Sequence, residues 1–194
     1  MRATQVIGFA VAAVLLSAGF RAHAADGWNE ATNGDLSNDS LAPTAVTLGH
    51  GINNVEGTTG NGGAGIDRDF FSFAIANGSA LTAIVVGPNT FVSGGASFIG
   101  IQVGNQVTNG GADLLGFAHY GPETVGTDIL PLLLPSSLQS LSSGNYAVWV
   151  QETGGTVTYS FDFVLSAVPE PASGALLGLG ALALACRRRV KLVA

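Results

Sequence analysis

The chain predicts an all-β domain, an antiparallel β-sandwich or jelly roll, flanked by an N-terminal signal helix and a C-terminal hydrophobic helix. Three observations predict it. Residues 25–168 carry 23 glycines together with Asn-Gly steps at Asn33, Asn61, Asn77 and Asn109, the punctuation of tight turns. Between these turns apolar residues recur with period two, the repeat of a strand with one buried face. At each extremity an apolar run borders on basic residues, the pattern of a membrane-directed segment.

In chain order, the first element is a leader over residues 1–24. Arg2 supplies its positive start and Val6 to Leu16 its apolar stretch, and Ala22-His23-Ala24 places small residues where a signal peptidase reads, with cleavage after Ala24. The domain proper is assigned to residues 25–167. Its strand candidates are Ala45 to Leu48, Asp69 to Ile75, Ala80 to Val86, Ser97 to Val103, Asp113 to Ala118, Asp128 to Leu134, Asn145 to Gln151 and Thr158 to Leu165. The alternation is clearest in the last, where Tyr159, Phe161, Phe163 and Leu165 share a face opposite Thr158, Ser160 and Asp162. Phe71, Phe73 and Ile75 form a second such face, and Tyr146, Val148 and Val150 a third. Pro131 and Pro135 demote the Leu-rich stretch to an edge strand or extended loop. Gly60 to Gly65 is read as a hairpin loop; with no lysine and no following helix it is not a phosphate-binding loop.

The last element, residues 168–194, is a processing signal rather than core. Pro169-Glu170-Pro171 stops the preceding strand, because each proline fixes φ and removes a donor. An uncharged run from Ala172 to Cys186 follows, then Arg187-Arg188-Arg189. At about 1.5 Å per residue that run spans roughly 22 Å, short of the ~30 Å hydrocarbon core, so it suits a transient inner-membrane helix better than a permanent anchor. The arginines belong on the cytoplasmic side and the preceding domain outside. Proline-glutamate-proline, apolar run and arginine cluster, in this order, resemble the PEP-CTERM sorting tail of Gram-negative bacteria. The resemblance implies cleavage by an exosortase-type processing enzyme and delivery to the cell surface or the extracellular matrix.

Charge is partitioned. In residues 25–168 twelve acidic residues stand against Arg68 alone, a net charge of −11, which repels nucleic acid and anionic lipid. The one cysteine, Cys186, lies in the C-terminal apolar run, so the domain has neither a disulfide nor a thiol nucleophile.

A second resemblance spans roughly residues 35 to 165. Asp35-Leu36-Ser37-Asn38-Asp39, then Asp67-Arg68-Asp69-Phe70-Phe71-Ser72-Phe73, the Asn77-Gly78 turn, Ser143-Gly144-Asn145-Tyr146 and the closing strand look like the bacterial pre-peptidase C-terminal domain, a β-sandwich attached to secreted proteins. The stretch between Pro88 and Pro135 departs from it. The resemblance implies calcium as the one candidate cofactor, held by Asp35, Asn38, Asp39, Asp67 and Asp69. Calcium takes six to eight oxygen ligands, and Asp67 and Asp69 point to one side of an extended segment. From the residues alone, Asp35, Asn38 and Asp39 read first as turn-formers bonded to their own backbone and Asp67 as a loop cap, in which case the domain takes no cofactor.

Catalytic signals are few. Beyond the leader the histidines are His50, in a Gly-His-Gly turn, and His119, ahead of Gly121-Pro122. No nucleophile elbow frames a serine, and no cysteine–histidine cluster offers a zinc site. The expected function is therefore that of an exported, non-enzymatic surface or matrix protein associated with exopolysaccharide in a biofilm, with Trp28, Trp149 and Tyr120 as candidates for stacking on sugars. The alternative is a secreted hydrolase acting on matrix polymers.

Overall fold

A computed structural model describes residues 27–63, 65–92 and 97–168. The signal-cleavage residues Ala22 and Ala24 lie outside them, as do the sorting residues Pro169, Glu170, Pro171, Arg187, Arg188 and Arg189, and so do the segments expected as N- and C-terminal helices. Among the described residues no helix is long and apolar enough to cross a membrane.

The strands are β1 (Trp28–Asn29), β2 (Thr44–Ala45), β3 (Gly51–Asn61), β4 (Ile66–Ile75), β5 (Ser79–Val86), β6 (Ser97–Val103), β7 (Gly116–Tyr120), β8 (Gly144–Gln151) and β9 (Val157–Ala167). The described residues also form two four-residue α-helices, α1 (Glu30–Asn33) and α2 (Leu130–Leu133), and two single-turn 3-10 helices, Asn109–Gly111 and Pro122–Thr124. The hydrogen-bonded order is β5-β9-β3-β4-β8-β6-β7, antiparallel throughout, with β1 added parallel to β3 and β2 parallel to β4.

The joint of this sheet is the β3–β4 hairpin. These strands pair only at Gly60↔Asp67 and Asn61↔Ile66; β3 then runs along β9 for nine pairs and β4 along β8 for eight. The sheet thus folds back on itself and nearly closes. Rings on strands that are not neighbours meet across the interior: Phe71 with Phe163 at 5.8 Å, Phe73 with Phe163 at 5.6 Å, and Tyr120 with Phe161 at 4.9 Å. The core these rings anchor includes Val55, Ile84, Ile99, Ile101, Val148 and Val150.

The alternation expected for Thr158 to Leu165 is present, with Tyr159, Phe161, Phe163 and Leu165 all buried. Asp69 to Ile75 and Asn145 to Gln151 fall within β4 and β8, while Ala45 to Leu48 contributes only the end of β2. Asp113 to Ala118 becomes strand only from Gly116, because Asp113 Oδ2 instead accepts from Thr108 Oγ1 (2.9 Å) and Asn109 Nδ2 (2.5 Å), closing a turn. Asp128 to Leu134 is not a strand. Asp128 Oδ1 accepts from Leu130 N at 3.0 Å and Pro131 sits in the first turn of α2, a position where its missing N–H costs nothing.

Candidate functional site

Strand parity puts Asp69 on the inward face of β4 together with Phe71, Phe73 and Ile75. Its side chain is fully buried, and neither carboxylate oxygen has a hydrogen-bond partner among the described residues. Three hydroxyls in the same condition belong to this end of the interior: Tyr159 Oη on β9, Tyr120 Oη on β7 and Thr59 Oγ1 on β3. Tyr159 faces the Asp69 carboxylate closely enough to favour its ionised form, without completing a well-formed hydrogen bond.

Two further carboxylates meet Asp69. Pairing of Trp28 with Val55 lays β1 along β3 and sets α1 beside it. Asn29 caps α1 by accepting from Ala31 N at 2.9 Å, and this aims Glu30 at the sheet. Glu30 Oε2 accepts from Thr58 N at 2.7 Å and from Thr58 Oγ1 at 3.2 Å, and Oε1 from Leu36 N at 3.1 Å. One carboxylate oxygen each from Glu30, Asp35 and Asp69 lies within 4.8 Å of the others. Gly57 makes the room: a Cβ there would stand 2.6 Å from Tyr159 Oη and 2.7 Å from Glu30 Cδ.

Electrostatics follow from this crowding. Burial pushes the Asp69 carboxyl up to about 9, against the partial relief from Tyr159, and the negative charges of Glu30, Asp67 and Asp35 add to the rise. Burial also raises Glu30, although the Leu36 and Thr58 amides pull the other way. Asp35 is raised by desolvation and then by Asp67. The Tyr159 hydroxyl is held well above its usual range by burial and by Asp69. A buried carboxylate under such pressure is neutralised either by a proton or by a cation. The donor set is all oxygen, which suits a hard divalent ion such as calcium rather than a transition metal.

Of the five residues implied as calcium ligands, the structure brings Asp35 and Asp69 together. Asn38 and Asp67 form a neighbouring pair, Asn38 Nδ2 donating to Asp67 Oδ1 at 2.9 Å while Asn38 Oδ1 accepts from Arg68 N at 2.7 Å. Asp39 serves its own turn, Oδ1 accepting from Leu41 N at 2.9 Å. Glu30 was not anticipated, since nothing local marks it; its place depends on the β1–β3 pairing. The expected sugar-stacking role of Tyr120 is corrected: its ring is wholly inside, edge-on to Phe161. Trp28 and Trp149 are half-buried. His50 lies 3.1 Å from Ser79 Oγ through Nε2, and His119 is exposed on β7, edge-on to Phe117.

Comparison with known proteins finds the PEP-CTERM protein-sorting motif over residues 167–189. No curated protein and no solved structure matches the chain. The motif indicates an exported protein that is transiently anchored in the membrane and processed by an exosortase.

Proposed function

We propose that the chain is a non-enzymatic protein of the cell surface or extracellular matrix, whose acidic β domain associates with exopolysaccharide and is braced by calcium. The sorting motif at residues 167–189 supports the surface or matrix destination, because it indicates export, transient membrane anchoring and exosortase processing. Signal peptidase would act earlier, after Ala24. The folded-over sheet is read as a β-sandwich like the pre-peptidase C-terminal module, a rigid body suited to display.

Support for the calcium part comes from Asp69. A fully buried carboxylate with no hydrogen bond, with two more carboxylates brought against it over Gly57, fits an oxygen-coordinated cation. Glu30, Asp35 and Asp69 would hold it. Bound there, the ion would tie α1 to β4 and fasten the start of the domain to its core.

The test of destination is deletion of residues 169–194. Fractionation should then find the domain released in soluble form instead of retained through the membrane to the surface or matrix. Unchanged surface or matrix retention of the truncated chain would refute the assignment, and cleavage of matrix polymers by the purified wild type would replace it with the hydrolase reading.

A further inference from the structure

The outward face of the β4-β8-β6-β7 half of the sheet breaks the usual rule that such a face is polar. Register aligns Phe70, Trp149, Gly100 and Phe117 in one row across the four strands, and Arg68, Gln151, Phe98 and His119 in the next. The rings touch in series: Phe70 with Trp149 at 5.5 Å, Trp149 with Phe98 at 5.0 Å, and Phe98 with Phe117 at 5.6 Å. Gly100 lets them close up, for a Cβ there would meet Leu114 Cδ1 at 2.7 Å and Phe98 Cζ at 3.0 Å.

The described residues cover only half of this row. Val107 and Leu114, on the segment between β6 and β7, pack with Phe70, Ala147 and Trp149 as a second small core. That segment is pinned by Val107 N donating to Ser40 O at 2.9 Å and Gln106 Nε2 to Leu41 O at 2.6 Å. Beyond its edge Phe117 is 56% exposed, with Phe98 and Trp149 half-buried behind it. Two hollows of about 310 and 630 Å³ adjoin here and share Gly110, Trp149 and Gln151. The smaller is walled by Phe98 and Phe117, the larger by Arg68, Asn38 and Asp39. Each lies within the size range of small-ligand sites.

We propose that this groove binds a segment of an uncharged hexopyranose polymer. The inference rests on the polysaccharide reading given above and locates it on the molecule. A pyranose ring presents one apolar C–H face and a rim of hydroxyls, so it needs an open aromatic face next to planar hydrogen-bonding groups. Phe117, backed by Phe98, supplies the first. Arg68 and Gln151, already joined by an Nε–Oε1 bond of 2.8 Å, supply the second, with Asn38 beyond them. Charge selects the polymer. Arg68 is the only lysine or arginine in residues 25–168, set against twelve acids, so a polyanionic glycan is repelled by the domain as a whole.

The test is affinity electrophoresis of the protein purified from the exported fraction, in gels containing neutral galactomannan, neutral hydroxyethyl cellulose or anionic alginate. Wild type should be retarded by at least one neutral polymer and not by alginate. Phe117→Ala, an exposed change checked for folding by its melting curve, should weaken retardation roughly tenfold, the loss of one stacking contact, and Arg68→Ala should weaken it as well. Retardation of Phe117→Ala and Arg68→Ala equal to wild type would place glycan binding elsewhere and overturn this site while leaving the polysaccharide reading intact. Retardation by alginate equal to that by the neutral polymers would overturn the choice of polymer, and no retardation by any of the three would overturn both the site and the polysaccharide reading.

Discussion

Replacing Asp69 by asparagine separates a cation site from a merely uncomfortable carboxylate. Without divalent ions, burial holds the Asp69 carboxyl near 9 in the folded protein, against about 3.9 in the unfolded chain. Between those values the native state binds one more proton than the unfolded state, so stability falls as pH rises. The slope is about −1.4 kcal/mol per pH unit; the contribution is complete below pH ~4 and gone above pH ~9. Glu30 and Asp35 are raised too and act in the same direction. At neutral pH the asparagine side chain resembles the protonated acid it replaces. In EDTA, therefore, Asp69→Asn should melt close to wild type near pH 4, roughly 10 °C above it at pH 6, where the wild type has lost about 3 kcal/mol, and should lack much of the decline towards pH 9. Calcium changes the comparison. An ion at a hundred times its dissociation constant stabilises by about 2.7 kcal/mol, roughly 10 °C in Tm for a domain of this size, and should displace close to one proton from the wild type at pH 7. Melting curves with and without calcium at pH 6, 7.5 and 9, with proton release followed by calorimetry in buffers of different ionisation enthalpy, read all of this. Equal calcium shifts in wild type and Asp69→Asn would refute the site. A wild type whose stability in EDTA stays flat from pH 5 to 9 would refute the electrostatic reasoning itself.

Two further predictions concern the frame around the site. Asn53 is buried on β3, with Oδ1 accepting from Gly49 N (2.6 Å) and Nδ2 placed against the carbonyls of Gly49, Gly51 and Phe163. Asn53→Ala should cost about 2–3 kcal/mol in urea unfolding through the backbone groups it strands, and a change under 0.5 kcal/mol would contradict that account. Gly60 has φ +119° and faces Gly155 O at 2.3 Å from where a Cβ would be, so Gly60→Ala should open the hairpin joint and lower stability by about 2–4 kcal/mol. Hydrogen exchange should report the loss first at the β3–β4 tip; an unperturbed tip would show that the joint tolerates separation.

Legibility in the sequence tracked how cleanly packing imposes alternation. β9, β4 and β8 were visible because nearly every inward position in their paired stretches is large and apolar. β3, the strand that reaches both β9 and the hairpin, gave no such signal, since its inward positions include Asn53, Gly57 and Thr59, with Val55 the lone aliphatic. Each of the first two has a structural reason that only the folded molecule supplies: Asn53 bonds backbone groups of Gly49, Gly51 and Phe163, Nδ2 sharing its two hydrogens among three carbonyls, and Gly57 leaves space for Tyr159 and Glu30. Asp69 was partly legible, as a carboxylate in step with Phe71, Phe73 and Ile75. Glu30 was not, because the parallel β1–β3 pairing that delivers it spans about twenty-seven residues and leaves no periodic trace.

The same parity argument identifies the second site. Inward positions of a folded sheet are apolar because burial removes them from water, and outward ones polar because it does not. Asp69 reverses the first rule and the Phe70–Trp149–Phe117 row reverses the second. A buried, unpaired carboxylate costs several kcal/mol in a domain whose whole stability is of order 5–15 kcal/mol, and Phe117, the exposed end of the row, adds little to folding that a polar side chain would not match. Among the described residues, packing accounts for Phe70 and Trp149 under the β6–β7 segment but neither for the unpaired Asp69 carboxylate nor for Phe117, which that segment stops short of covering. A small cation at the one and an uncharged, ring-shaped ligand at the other would satisfy both, and the two sites lie on opposite faces of β4, so that a cation held at Asp69 would bear directly on the strand that carries Arg68 and Phe70 into the groove.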